Sequence, residues 1–193
     1  FERVAEDPSA TILFFHLIQQ SIELKEKISS VEDRANSDMD NHVDDFIERN
    51  EVSRDELVDE ANLEEIRETY KKSYVANELM GDIIGFIVVS NVLIEDYSTK
   101  LIEKKLICEQ FEGVNKTDQL LNRKFSQSMR ESLLLRTGVI DTGLHGELVK
   151  IRNMRNNIAH NLEKAVYLRD IEDIISVIDD IMQVLDDLNS KIS

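Results

Sequence analysis

The sequence predicts an all-α protein that folds as one domain. One proline and six glycines leave few residues that would interrupt a helix, and the chain is rich in Leu, Ile, Glu, Asp and Lys. Apolar residues also recur at helical spacing in most parts of the chain. Since 41% of the 193 residues are hydrophobic, the chain can bury a sizeable core. No internal repeat or low-complexity linker divides it, so a single domain over residues 1–193 is expected.

The N-terminal part of the chain predicts an acidic pair of helices. Asp7 and Pro8 have the pattern of a helix cap followed by a first helical residue. The polar stretch "SSVEDRANSD" predicts that this first helix ends there, and a second helix is expected after it. The sequence "SRDE", which begins at Ser53, has the form of a capping box that opens a third helix. Residues 32–72 are therefore predicted to form an acidic helical hairpin, as an insertion or an extension.

Charge is distributed unevenly along the sequence. The net charge is −16, and residues 32–68 hold fifteen acidic residues against four arginines. Residues 121–169, in contrast, hold nine basic residues and four acidic ones. The overall negative charge argues against phosphate binding over the whole surface, whereas the basic segment permits it locally. The acidic hairpin is interpreted as a solvated surface, and the alternatives are a docking surface for a basic partner and a gate over the basic segment.

The middle of the chain, residues 74–110, predicts a long apolar helix. Its β-branched residues would suit a strand, but the apolar positions continue at helical spacing over too great a length. Gly81 and Gly85 are four residues apart, which predicts the close approach of another helix. The sequence "FEGVNKTDQ" then predicts a loop.

Three helices are predicted in the C-terminal third. The first ends near Thr137–Gly138, where the glycine can take the left-handed conformation that closes a helix. The second begins at Asp141 or Thr142. The last, from Leu168 to Leu188, carries a regular apolar stripe.

Several classes of function have no support in the sequence. No apolar run reaches the roughly 18 residues that span a bilayer, so no membrane association is expected. The lone cysteine, Cys108, excludes an internal disulfide framework and favours the cytoplasm. There is no glycine-rich phosphate loop, no paired-cysteine zinc site and no G-x-S-x-G motif. We therefore expect neither a metal nor an organic cofactor.

The stretch "RNMRNNIAHN", from Arg152 to Asn161, has an unusual composition for a helix. It holds two arginines, four asparagines and a histidine, with only three apolar residues. Asparagine is a poor helix former because its side chain competes for backbone hydrogen bonds. A helix that served only to bury one face would not need these residues, so the stretch is a candidate functional site.

The segment from Arg155 to His160 resembles a known signature. Its order, an arginine, four residues and a histidine, is similar to the R-x4–6-H motif of the HEPN superfamily (higher eukaryotes and prokaryotes nucleotide-binding). The form "RN-x-x-AH" is especially similar to mannitol-repressor-like and related HEPN families. The resemblance covers residues 125–162 and, more loosely, 74–110, but not residues 1–72. It implies a HEPN-like helical bundle, to which the acidic hairpin is an addition.

The resemblance implies a homodimer that cleaves RNA without a metal. A histidine, whose solution pKa is near 6.5, can exchange a proton at neutral pH, and an arginine can stabilise charge that develops on a phosphate. Together they suffice for attack of a ribose 2′-hydroxyl on the neighbouring phosphate. The expected catalytic residues are Arg155, His160 and Asn156, and the expected RNA-binding residues are Lys150, Arg152 and Asn157.

The spacing of Arg155 and His160 raises a geometric question. Five residues on an ideal helix correspond to about 140° around the axis, so the two would not share a face. Either the helix loosens before His160, or the site is assembled from two copies of the motif across a two-fold axis. The dimeric architecture of the family favours the second arrangement. Asn156 lies four residues before His160 and is expected on the same face.

Other functions stay open beside an endoribonuclease that acts as a toxin or antiviral effector. One is a non-catalytic regulator or interaction protein of the mannitol-repressor type, and another is a domain that binds RNA or nucleotides without turnover. In a purely structural interpretation, His160 ends the helix near its carbonyls, and the two arginines pair with Glu147, Glu163 or the acidic hairpin. The expected partners are RNA, a second copy of the chain and a protein such as an antitoxin.

Overall fold

The protein is all-α, as the sequence predicts. The computed structural model describes residues 8–50, 60–106, 125–160 and 171–192, and within these ranges it has five helices and no strand. The predicted loop "FEGVNKTDQ" and Cys108 lie outside them. We number the helices in chain order: α1 is Pro8–Asn50, α2 is Glu60–Leu106, α3 is Gln127–Arg136, α4 is Thr142–His160 and α5 is Ile171–Ile192.

α1 and α2 form a long antiparallel pair. Near the start of α1, the ring centroid of Phe14 lies 6.4 Å from that of Tyr97. Farther along, Arg34 forms an ion pair of 2.8 Å with Glu78. Residue numbers therefore rise along α1 as they fall along α2, which means that the two helices run in opposite directions.

The predicted break at "SSVEDRANSD" is wrong, because α1 continues through this stretch to Asn50. Val31 and Ala35 within the stretch, and Met39 just beyond it, recur every four residues and are all buried. Most of the polar residues between them are exposed. A stretch that looks like a linker by composition thus keeps the apolar stripe that a continuous helix needs.

The described parts of the acidic segment, residues 32–50 and 60–72, belong to the same two long helices. The predicted helix after the capping box and the predicted apolar helix are one helix, α2, and Ser53 lies outside the described residues. Lys71 Nζ pairs with Glu68 at 2.9 Å and with Glu32, on α1, at 3.7 Å. The described acidic residues are therefore continuous with core helices, and the ion pair of Lys71 with Glu32 joins α2 to α1.

Buried apolar residues from all five helices form one core. α2 lies at its centre and packs against each of the other four helices. α5 contributes a regular stripe from Ile174 to Leu188, as the sequence predicts. The predicted start of this helix at Leu168 lies outside the described residues.

Gly81 and Gly85 do not lie at a close contact between helices. Both are exposed, and a Cβ atom added at either position would have nothing within 4 Å. The prediction of a close helix approach is therefore wrong for the single chain.

A tight turn joins α3 to α4 and fixes how the two helices enter the bundle. Ser126 Oγ accepts a hydrogen bond from Met129 N at 3.3 Å and so caps the start of α3. Gly138 has a φ of 72°, the left-handed conformation that the sequence predicts for it. Asp141 Oδ1 accepts a hydrogen bond from Leu144 N at 2.9 Å and caps α4. The predicted end of α3 and start of α4 are confirmed.

Among the described residues, we find no single helix that is both long enough and apolar enough to cross a bilayer. The pieces Glu68–Tyr74 and Glu78–Leu106 of α2, which meet at a bend of 61°, together have the length and composition of a broken span.

Candidate functional site

Arg155 lies at the edge of the buried face of α4. Its neighbours Ile151 and Ile158, four residues before and three after, are buried in the core, and this directs Arg155 towards α2 and α3. Arg155 Nη2 donates to Glu95 Oε1 at 3.2 Å and to Gln127 Oε1 at 3.0 Å. The candidate catalytic arginine is thus held by one residue from each of two other helices.

The carboxylate of Glu95 binds a second arginine through its other oxygen. Arg130 Nη2 lies 3.2 Å from Glu95 Oε2, and Arg130 Nη1 donates to the carbonyl oxygen of Phe125 at 3.1 Å. Since only 5% of the Arg130 side chain is exposed, its charge needs a partner, because a buried charge without one is costly. We call Glu95, Arg130 and Arg155 the Glu95 clamp, which ties α3 and α4 to α2.

Arg155 keeps part of its guanidinium available despite the clamp. Its side chain is 33% exposed, and both of its described hydrogen bonds use Nη2. Nη1 has no hydrogen-bond partner among the described residues. Because a guanidinium carries five N–H donors in a planar fork, Nη1 can contact a phosphate oxygen while Nη2 holds Glu95 and Gln127.

Arg152 forms an ion pair with Glu131 of α3. Glu131 is fully buried, and the Arg152 side chain is 17% exposed. Burial raises the pKa of Glu131 above its usual value, while the positive charge of Arg152 acts in the opposite direction. Arg152 therefore compensates a buried carboxylate, and little of its side chain is left to contact RNA.

Both arginines of α4 form ion pairs, and the partners seen among the described residues differ from those that the sequence suggested. Glu147 lies 3.5 Å from Lys150 Nζ, and Glu163 lies outside the described residues. The observed partners belong to α2 and α3 because α4 packs against these helices. Spacing within α4 could not reveal them.

A groove of about 360 Å³ lies between α4 and α5. Lys150 and Asn157, both predicted to bind RNA, lie in its wall together with Asn153. Lys150 Nζ donates to Asp180 Oδ2 at 2.5 Å, and this hydrogen bond raises the pKa of Lys150, which stays positive at neutral pH. The groove is completed by Met154 of α4 and by Asp173, Ser176 and Val177 of α5.

The helical part of α4 extends through His160, so the helix does not loosen before this residue. Positions 155 and 160 are then about 140° apart around the axis of one chain. Asn156 is partly exposed, whereas the side chain of His160 lies outside the described part of the structure. Within one chain, positions 155 and 160 therefore lie on different faces of α4.

Four residues that hold the arginines in place could not be selected from the motif, and they are Glu95, Gln127, Arg130 and Glu131. Glu95 could have been noticed in the sequence, because Glu95 and Asp96 directly follow an uncharged run from Ile83 to Ile94. An acidic residue at that point predicts a cationic partner from another helix. Glu131 gave no such signal, because its burial depends on how α3 packs.

Within the described ranges, no three His, Cys, Asp or Glu side chains are arranged to hold a metal ion. No family model, no curated protein and no solved structure matches this chain. The HEPN resemblance therefore rests on the sequence pattern of residues 125–162 and the looser pattern before it.

Proposed function

We propose that this chain is a HEPN-type, metal-independent endoribonuclease, of the kind that acts as a toxin or antiviral effector. Its site consists of Arg155 from one copy and His160 from a second copy, with Asn156 beside them. Lys150, which lies earlier on α4, and Asn157, which follows Asn156, hold the RNA backbone or bases.

The observation that carries this proposal is the position of Arg155. Its guanidinium is fixed by Glu95 and Gln127, yet one third of the side chain is exposed and Nη1 has no described partner. An arginine that served only to neutralise Glu95 would not be needed, because Arg130 already binds that carboxylate. Arg155 thus has a fixed orientation and keeps Nη1 as a donor that no described residue uses. Both properties suit a residue that stabilises negative charge on a phosphate.

The chemistry follows from the two residue types. Neutral His160 takes the proton of a ribose 2′-hydroxyl, and the 2′-oxygen attacks the adjacent phosphorus. Arg155 stabilises the negative charge on the phosphate oxygens, and the bond from phosphorus to the 5′-oxygen breaks. The leaving 5′-oxygen takes a proton from His160, which then holds the proton that it removed from the 2′-hydroxyl. The products are a 2′,3′-cyclic phosphate and a 5′-hydroxyl, so no water is consumed in this step.

The test is cleavage of labelled single-stranded RNA by the purified protein in the presence of a chelator. We expect cleavage, a 2′,3′-cyclic phosphate detected by mass spectrometry, and resistance of RNA with a 2′-deoxy residue at the cut position. His160→Ala and Arg155→Ala should each remove most activity, and Asn156→Ala should have a smaller effect. The rate should fall at acid pH, where His160 is protonated and cannot take a proton.

Two further variants separate catalysis from folding. Arg155→Lys keeps a positive charge beside Glu95 but loses the planar fork, so we expect a stable protein with a strongly reduced rate. Arg136→Ala changes an exposed arginine of α3 and should retain the wild-type rate. Full activity of His160→Ala, or equal cleavage of the 2′-deoxy substrate, would exclude the mechanism.

The second candidate function is a non-catalytic regulator or interaction protein of the mannitol-repressor type. It is favoured by the ion pairs of Arg152 and Arg155, which give both residues a structural reason to be there. A wild-type protein that cuts no RNA under any of these conditions supports this candidate. Titration with labelled RNA and nucleotides then distinguishes it from a domain that binds nucleic acid without turnover.

A further inference from the structure

An exposed apolar stripe on α1 is not explained by the fold. Ile12, Phe15 and Ile22 are 69%, 57% and 48% exposed. They are separated by three and seven residues, so they lie along one side of the helix. The core takes a different side of α1, which includes Leu17 and Leu24. α1 thus has two apolar faces, and the described part of the chain covers only one of them.

The stripe is continuous with a groove between α1 and α5. The groove has a volume of about 570 Å³. The ring centroid of Phe14 lies 6.4 Å from that of exposed Phe15 and 6.4 Å from that of buried Tyr97, so Phe14 links the stripe to the core. The residues that line the groove are Phe14 and Ile18 of α1 and Asp179, Asp180, Met182, Gln183 and Asp186 of α5.

Acidic residues surround this apolar surface. Glu23 and Glu26 flank the stripe on α1, and both are exposed. Asp179 and Asp186 stand along the other side of the groove. Lys25 pairs with Asp179, whereas Asp186 has no ion-pair partner among the described residues. The rim therefore keeps a clear excess of negative charge.

We propose that this surface binds an amphipathic helix of a partner protein, with apolar residues on one face and Lys or Arg beside them. The apolar face would cover Phe15, Ile18 and Ile22, and the cations would meet Glu26 and Asp186. A second copy of the chain would bring the same acidic rim, and anionic lipid would be repelled, so charge favours a basic partner over both. The surface belongs to α1 and α5 and meets α4 where Lys150 donates to Asp180, and the proposal does not depend on nuclease activity.

The experiment uses the full chain and a fluorescein-labelled synthetic helix of Leu, Ala and Lys with all Leu on one face. Its twin carries Glu in place of every Lys. Fluorescence anisotropy should show that the basic peptide binds at least about tenfold more tightly than the acidic twin. Phe15→Ser combined with Ile22→Ser should weaken binding by a similar factor of about ten. Glu26→Gln combined with Asp186→Asn should also weaken it and reduce its dependence on salt.

Matched variants elsewhere on the surface serve as controls. Val88→Ser combined with Val92→Ser removes an exposed apolar pair from α2, where these residues are 42% and 59% exposed. Asp33→Asn combined with Glu65→Gln removes two exposed acids from the hairpin. Both should leave peptide binding unchanged.

Three outcomes would overturn the proposal. One is equal loss of binding in the control variants, and another is equal affinity for the acidic twin. The third is an alternative occupant: light scattering shows a dimer that Phe15→Ser abolishes, or the protein binds phosphatidylglycerol vesicles in preference to the peptide.

Discussion

At the scale of single residues, both arginines of the motif have a structural role, and a chemical role is proposed for Arg155 alone. Arg155 and Arg152 could be selected from the sequence because the motif names the first and helical spacing places the second on its basic edge. Glu95 and Glu131 could not, because nothing local marks them as partners. An ion pair between helices depends on how the helices pack, whereas a motif can be recognised from the order of its residues in the sequence.

Glu131 should give the protein a measurable dependence of stability on pH. Burial raises its pKa in the folded chain, whereas a glutamate in the unfolded chain titrates near 4.3. Ionised Glu131 therefore costs stability at neutral pH, and this cost is relieved as the pH falls through the raised pKa. Glu131→Gln has no charge to titrate. The measured quantity is the difference in free energy of unfolding between the wild type and Glu131→Gln. We expect this difference to increase as the pH falls from neutral and to level off below the pKa that Glu131 has in the unfolded chain.

Urea denaturation at several pH values would measure this difference. Glu65→Gln, which changes an exposed carboxylate, provides the correction for loss of one negative charge. A difference that stays constant or decreases as the pH falls would contradict the effect of burial on Glu131.

At the scale of helices, the ends and caps that depend on a few neighbouring residues could be predicted from the sequence. The left-handed Gly138 and the cap at Asp141 depend only on neighbouring residues, and the structure contains both. The helix end that was predicted at "SSVEDRANSD" is wrong because the course of α1 there depends on packing and not on neighbouring residues. Val31 and Ala35 are too few to mark a helix by composition, but both are buried where α1 packs in the bundle, and packing keeps α1 continuous.

Gly138 in the α3–α4 turn and Gly146 within α4 should respond in opposite ways to alanine. Gly138 has a φ of 72°, so Gly138→Ala should lower the free energy of unfolding by about 1 kcal/mol or more. Gly146 lies within α4 in open space, so Gly146→Ala should raise it by up to about 1 kcal/mol. Chemical denaturation of both variants beside the wild type measures these changes. The same sign for both would show that the turn conformation is not as described.

At the scale of the whole molecule, the acidic extension and the basic segment have opposite charge. Because the extension consists of the ends of α1 and α2, deleting it would cut helices that build the core. Neutralising it is the cleaner experiment. Changing Asp33, Glu48 and Glu65 to amides should tighten RNA binding, most clearly at low salt. The control changes Glu26, Asp186 and Asp187 in the same way. Equal affinity of the wild type and the hairpin variant at low salt would show that the extension does not restrain RNA.

The proposed dimer predicts that two inactive variants restore each other. A mixed dimer of Arg155→Ala and His160→Ala has one site with an intact arginine from one copy and an intact histidine from the other. Random exchange of subunits makes about half of the dimers mixed, and each mixed dimer has one of its two sites intact. We therefore expect about one quarter of the wild-type rate. Cleavage assays before and after mixing measure it. A mixture as inactive as its components, although exchange is verified, would contradict a shared site.

The Glu95 clamp has a consequence for how such a protein can change over evolutionary time. Loss of Arg155 leaves Glu95 paired with Arg130, so the carboxylate keeps a partner and the helices stay joined. Loss of Glu95 instead deprives two arginines of their counter-charge, one of them almost fully buried. In the proposed nuclease, a substitution that removes activity is thus structurally mild at Arg155 and severe at Glu95. Descendants that abandon catalysis should lose the arginine of α4 first and retain the glutamate of α2.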